Sequence, residues 1–343
     1  MRLLCMVVLA AALALVVVTS GPEPSFAQGS LTISGVVVNG TDGGTLPPEL
    51  LVLMLVTSPD GRLVATSQAI SDETGRFQSS ELPLVAEGTY AFSVEYAGVL
   101  YTSTLSRKAL SEDVRLTVYE TTQDVSVVRV TRQVLVIAEV VEKDREIAVI
   151  EFVHLSNESD RTLLPDLANP ARMSFLRFSL PPQARELEVQ SDLPGREIIS
   201  VGTGFAVTSP VVPGDHSVEF TYLFPYRDDT VSYRQAFLQG AEVYQVLVPD
   251  RLVQVEVAPL DREAPINIQG TVYQAWEGRD FKPGQGIELK LLHLPEPSVL
   301  ARLEKSITSG AFWQVALPSI LGAVLVFLLI FGGLKGRVGS RVT

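Results

Sequence analysis

Thr89-Tyr-Ala-Phe-Ser-Val-Glu-Tyr96 decides the fold. Tyr90, Phe92 and Val94 recur at every second position, which puts them on one face of a strand; a helix would scatter them around its circumference. Glu87-Gly88 precedes them as a turn. Upstream the same rhythm repeats: Leu31-Thr-Ile-Ser-Gly-Val-Val-Val38, a polar glycine-rich turn over Asn39–Thr45, the apolar run Leu50–Val56, the turn Ser58-Pro-Asp-Gly61, then Arg62–Ala69 and Ser71-Asp-Glu-Thr-Gly75 before Arg76-Phe77. Short strands divided by Pro, Gly and Asp turns, with no helical stretch, predict a β-sandwich over residues 28–124, its closing strand and linker in Ser111–Asp124.

The order Ile33-Ser-Gly-Val-Val-Val-Asn-Gly, Leu51–Val56, Ala65-Thr-Ser, Asp72-Glu-Thr-Gly-Arg-Phe77, Leu82-Pro, Glu87-Gly-Thr-Tyr-Ala-Phe-Ser-Val94 and Tyr96-Ala-Gly98 resembles the carboxypeptidase regulatory-like domain, a transthyretin-like (Ig-like) sandwich. Its repeated cue is Gly-x-Phe before Leu-Pro and then Gly-x-Tyr, supplied here by Gly75-Arg-Phe77 and Gly88-Thr-Tyr90. A glycine turn there delivers an aromatic ring into the core. The resemblance covers residues 31–106, under a quarter of the chain, and includes no peptidase domain. The isopeptide bond of similar bacterial surface domains needs a lysine, and the first lysine here is Lys108. The fold also resembles carbohydrate-binding modules, which implies sugar or cell-wall binding as an alternative role for this sandwich.

A second strand-rich region, 125–295, begins with Val125–Val130, Gln133–Val141 and Glu146–Leu155, where Ile147, Val149, Glu151 and Val153 share one face. A long polar connection over 157–170 follows. Ser174–Leu180, Leu187–Gln190, Glu197–Val201, Gly204–Thr208, His216–Phe224 and Val243–Val248 read as further strands of a second sandwich, with prolines between them. Ile266–Tyr273 and Gly286–Leu292 read as a hairpin with Ala275–Gln285 as its loop. The fold class is therefore all-β, two consecutive sandwiches.

Two apolar segments bracket these domains. Leu3–Val18, after Arg2 and before Ser25-Phe26-Ala27, reads as a signal peptide over 1–27. Ala311–Leu334 carries no charge, is long enough to span a bilayer, and is followed by Lys335, Arg337 and Arg341 in a cytoplasmic tail over 335–343. Residues 296–310 are a juxtamembrane connector in which Val299, Leu303 and Ile307 suggest a short helix from Pro297. The expectation is a single-pass type I membrane protein whose body lies outside the cytoplasm, periplasmic or extracellular.

The formal charge is −12. Arg2 offsets Glu23 in residues 1–27 and the tail contributes the three cations named above, so residues 28–310 carry −15. Such a surface cannot displace the counterions of nucleic acid, which is excluded as a partner. Cys5 is the only cysteine and lies in the signal segment, which excludes disulfides, thiolate metal sites and cysteine nucleophiles from the remainder.

Little chemistry is legible. His154, His216 and His293 lie far apart with no second ligand at metal spacing, and His-Glu-x-x-His and Gly-x-Ser-x-Gly are absent. Asp72-Glu73 and Asp228-Asp229 lack the alternating spacing of a calcium loop. Asn39-Gly-Thr and Asn157-Glu-Ser are glycosylation sequons. No metal or cofactor is expected. The aromatic-rich stretch around Pro225 offers Tyr226, Asp228, Asp229 and Tyr233 as contacts for a protein or glycan. The functional expectation is a membrane-anchored binding or scaffold protein without catalysis that positions a protein partner, with glycan binding second and an unrecognised hydrolase third.

Overall fold

The computed structural model describes residues 29–111, 113–169, 174–195, 197–250, 254–268 and 270–295. The signal segment, the juxtamembrane connector, the apolar C-terminal segment and the basic tail lie outside the described residues. Among those described, no helix is long and apolar enough to cross a membrane.

The described residues are almost entirely β, and the contacts divide the chain into two units, residues 1–123 with 159–164, and 124–158 with 165–343. In the first unit, β1 (Ser30–Leu31), β2 (Ser34–Asn39), β3 (Leu51–Thr57), β4 (Leu63–Ile70), β5 (Arg76–Gln78), β6 (Leu82–Pro83), β7 (Thr89–Tyr96), β8 (Val99–Ser106), β9 (Val114–Val118) and β10 (Thr121–Thr122) form a four-stranded sheet β4-β3-β7-β8, a three-stranded sheet β5-β2-β9 and short pairs. The decisive stretch is β7, whose Tyr90, Phe92 and Val94 are buried; antiparallel pairing sets Met54 of β3 opposite Phe92. Val37 and Leu116 from the other sheet complete this core.

Local chemistry fixes the turn into β5. Asp72 Oδ1 accepts from the main-chain N–H groups of Thr74 (2.8 Å) and Arg76 (2.9 Å), closing an Asx turn. Gly75 follows at φ +80°, where a Cβ would lie 2.3 Å from Val37 O, so glycine is required there and Phe77 is delivered into the core.

The second unit contains β11 (Val128–Val141), β12 (Glu146–Asn157), β14 (Leu176–Ser179), β15 (Arg185–Ser191), β16 (Ile198–Val201), β17 (Gly204–Val207), β18 (Gly214–Pro225), β19 (Val231–Phe237), β20 (Ala241–Pro249), β21 (Gln254–Ala258), β22 (Asp261–Ile268), β23 (Thr271–Phe281) and β24 (Gln285–Leu292). The omitted number, β13 (Thr162–Leu163), belongs to the first unit: inside the polar connection it pairs in parallel with β10. A seven-stranded sheet runs β15-β18-β12-β11-β20-β23-β22, beside three-stranded sheets β14-β17-β16 and β19-β24-β21. Alternation along β18 buries Phe220, Tyr222 and Phe224, and Phe220 meets Phe178 and Phe205 at ring-centre distances of 5.6 and 5.0 Å.

One sequence expectation is corrected. Ala275–Gln285 is not the loop of a hairpin joining Ile266–Tyr273 to Gly286–Leu292: β23 runs on to Phe281 and pairs with both β22 and β20, while β24 pairs with β19 and β21. Gly278 misleads because it resembles a turn residue. In the strand, a Cβ at that position would lie 2.4 Å from Leu260 Cδ2 and 2.7 Å from Phe281 Cζ, so its lack of a side chain makes room for two apolar groups.

Candidate functional site

The residues singled out in the sequence gather at the β18–β19 connection in two different roles. Tyr226 is buried and its hydroxyl donates to Pro295 O at 2.7 Å; burial raises its pKa. Tyr233 is also buried, on β19, with its ring edge-on to Phe224 at 5.3 Å. Asp228 and Asp229 are exposed on the turn, where Asp229 O accepts from the N–H of Leu294 at 2.8 Å. A cleft of about 300 Å³ runs beside them, lined by Pro181, Pro182 and Gln183 on one side and by Phe224–Asp228 and Thr230–Tyr233 on the other. The phenols thus build the floor and Asp228 the rim.

Behind that floor lies a polar cluster that the sequence showed only as an acid on an apolar face. Glu151 of β12 is fully buried; Gln133 Nε2 of β11 donates to its Oε2 at 2.6 Å and the Tyr222 hydroxyl of β18 to its Oε1 at 2.8 Å. Gln235 Nε2 of β19 lies 3.5 Å from the same Oε1 and 3.3 Å from Ser179 O. Burial pushes the Glu151 carboxyl up to about 7, against the two hydrogen bonds that favour its charged form. The same burial, with the nearby Glu151 charge, raises Tyr222 and Tyr244. Gln235 Oε1 and the Tyr244 hydroxyl have no hydrogen-bond partner among the described residues. Since the groups facing Glu151 are amides and phenols, it can hold or release a proton near neutrality with no cation to fix its charge.

The histidines do not converge. His154 and His293 are exposed, on β12 and after β24. His216 Nε2 is 2.8 Å from Val212 O and its Nδ1 3.5 Å from Asp192 Oδ1, while the Ser217 hydroxyl donates to Asp192 Oδ2 at 3.1 Å. Those three side chains resemble a triad in composition only: the nitrogen that would activate a serine faces a main-chain carbonyl. No group of three His, Cys, Asp or Glu that could hold a metal occurs among the described residues. Both sequon asparagines are engaged: Asn157 is buried and donates to Val211 O at 3.0 Å, and Asn39 Nδ2 donates to Thr45 O at 3.1 Å.

The cleft has one further property, which lies in the main chain. β19 is the edge of its three-stranded sheet, with β24 on its inner side. Near its end, the Ala236 N–H turns away from the ladder: it donates to Ser179 Oγ at 3.0 Å, and Ala236 O accepts from that hydroxyl at 2.9 Å. Ala236 therefore turns its peptide groups outward. In an antiparallel ladder these directions alternate, and pairing with β24 is regular from Val231 to Phe237, so Ser232 and Arg234 point the same way. Of these, Ser232 lines the cleft, opposite prolines that cannot compete as donors, while Arg234 lies just beyond it.

No family model and no curated protein matches the sequence. Solved structures similar to parts of the chain include an M1 zinc metallopeptidase from Deinococcus radiodurans, at 12% identity and a TM-score of 0.31, covering 48% of this chain and 42% of that one. Two full-length major pilins are also similar: SpaD from Corynebacterium diphtheriae (10% identity, TM-score 0.22, 80% and 85% covered) and RrgB from Streptococcus pneumoniae (13%, 0.18, 76% and 62%). The chain spans under half the length of the peptidase, and scores this low carry no activity or partner across.

Proposed function

We propose that this protein is a membrane-anchored extracytoplasmic scaffold that holds an extended segment of a protein partner along the outer edge of β19. The observation that carries the reading is the edge position of β19, whose register with β24 turns the Ser232 peptide groups outward where that residue lines a ready-made cleft. Adding a strand to such an edge supplies main-chain hydrogen bonds as affinity, and the cleft, with Arg227 and Asp228 at its rim, supplies selection of side chains. Anchoring rests on the uncharged segment Ala311–Leu334 and its basic flank, export on the leader-like residues 1–27, and the transthyretin-like character of the first unit on its Gly-x-Phe and Gly-x-Tyr steps.

The test uses Ser232→Pro, which removes one outward N–H without touching the ladder to β24. A photo-reactive side chain at Thr230 of the full-length protein in intact cells should cross-link to a discrete protein, and Ser232→Pro should lower that yield at least ten-fold. An undiminished adduct, or repeated recovery of the protein alone, would overturn the reading.

A further inference from the structure

The outer face of the sheet β4-β3-β7-β8 combines three properties that are uncommon together. It carries an apolar ridge: along β3 the inward residues are Val52, Met54 and Val56, yet the outward ones are Leu51, Leu53 and Leu55, all more than 40% exposed, with Ile70 of β4 and Leu100 of β8 at its margins and the uncharged Gln68, Thr66, Thr102 and Thr104 between. A strand that is apolar on both faces is characteristic of a sheet covered on both sides. The face is also nearly uncharged, Glu95 being the one charged residue in all four strands, in a chain whose residues 28–310 carry −15. And it is corrugated. Leu53 pairs with Ser93 and Leu55 with Ala91, so a ridge of leucines stands one strand spacing, about 4.8 Å, from a furrow of small residues on β7.

We infer that a second copy of this chain covers this face, the leucine ridge of β3 in each copy lying in the Ala91–Ser93 furrow of the other. A two-fold axis parallel to the strands, above the line between β3 and β7, places each ridge over the opposite furrow, which makes the contact isologous and closed. Charge selects the occupant: two copies this acidic repel over most of their surfaces and can approach most readily at this face, where each carries a single charge, Glu95, at the end of the furrow. An anionic membrane is repelled by the same field and would meet no basic residue in the four strands. Four strands of about seven residues give a face of roughly 24 by 14 Å, so two copies bury on the order of 700 Å² in total. Such an area belongs to a weak interface, below the ~1,200 Å² of stable complexes.

The experiment uses the full-length protein in isolated membranes, with Cys5→Ala and Ser93→Cys, treated with a short bis-maleimide. A cross-linked dimer is expected, and its yield should rise with NaCl, because screening weakens the repulsion between copies. Leu53→Asp should reduce it at least ten-fold. Ala91→Trp separates this packing from general stickiness: it adds apolar surface but fills the furrow, and should likewise reduce the yield. Protease resistance of each variant checks folding, and should Leu53→Asp fail that check, Ala91→Trp decides. Absence of the dimer, a yield that falls with salt, or a yield unchanged or raised by Ala91→Trp overturns the proposal.

Discussion

At the scale of single residues, Glu151 couples the core of the second unit to pH. Its carboxyl, raised from 4.5 to about 7 by burial, keeps its proton in the folded chain at pH values where the unfolded chain has released it. Stability from this group is therefore full below about pH 4.5, declines as the pH rises toward 7 and is lost above that; the shift corresponds to about 3 kcal/mol. Glu151→Gln retains the shape and hydrogen-bonding capacity but cannot ionise. Denaturant melts at pH 4.5 and pH 8 should give the variant similar stability at the lower pH and a gain on the order of 3 kcal/mol at the higher one. Equal stability of the two proteins at pH 8 would show that the carboxylate is solvated or paired. The residue was legible as an anomaly, a glutamate in register with Ile147, Val149 and Val153, but its partners come from three other strands and no local pattern joins them.

At the scale of elements, legibility followed the purity of the two-residue period. β7 and β18 declare themselves because each inward position is aromatic or aliphatic over several repeats. β19 does not, although Tyr233, Gln235 and Phe237 all point inward, because Gln235 interrupts the apolar series on the buried face. β23 was hidden by Gly278 and the charged residues around it. The four candidate contact residues lie close together in sequence, whereas their split into a buried floor and an exposed rim depends on where β18 turns into β19. The direction of peptide groups along β19 yields its own prediction. Ser232→Pro should cost no more than about 1 kcal/mol, since its N–H faces outward, while Tyr233→Pro should cost about 3 kcal/mol more than Tyr233→Leu, since its N–H belongs to the ladder with β24. Chemical denaturation of the four proteins measures this; equal costs for the two prolines would mean that β19 is not an edge.

At the scale of the whole molecule, composition and end segments speak where side-chain geometry does not. A body with a charge of −15 and no cysteine repels its like over most of its surface and needs no particular redox compartment, which suits a protein held outside the cytoplasm. Each unit closes its own core from its own stretch of chain, although most pairings join strands that are not consecutive in sequence, and Thr162–Leu163 completes the first unit from within the second stretch. The partner-holding edge can serve its proposed role only if it faces the exterior while the basic tail remains inside. The direct measurement is cysteine labelling in intact cells, in a Cys5→Ala background, with a membrane-impermeant maleimide. Asp228→Cys, on the exposed rim of the cleft, should label without permeabilisation and Arg341→Cys only after it; a protected Cys at position 228, or a tail that labels in intact cells, would contradict the account.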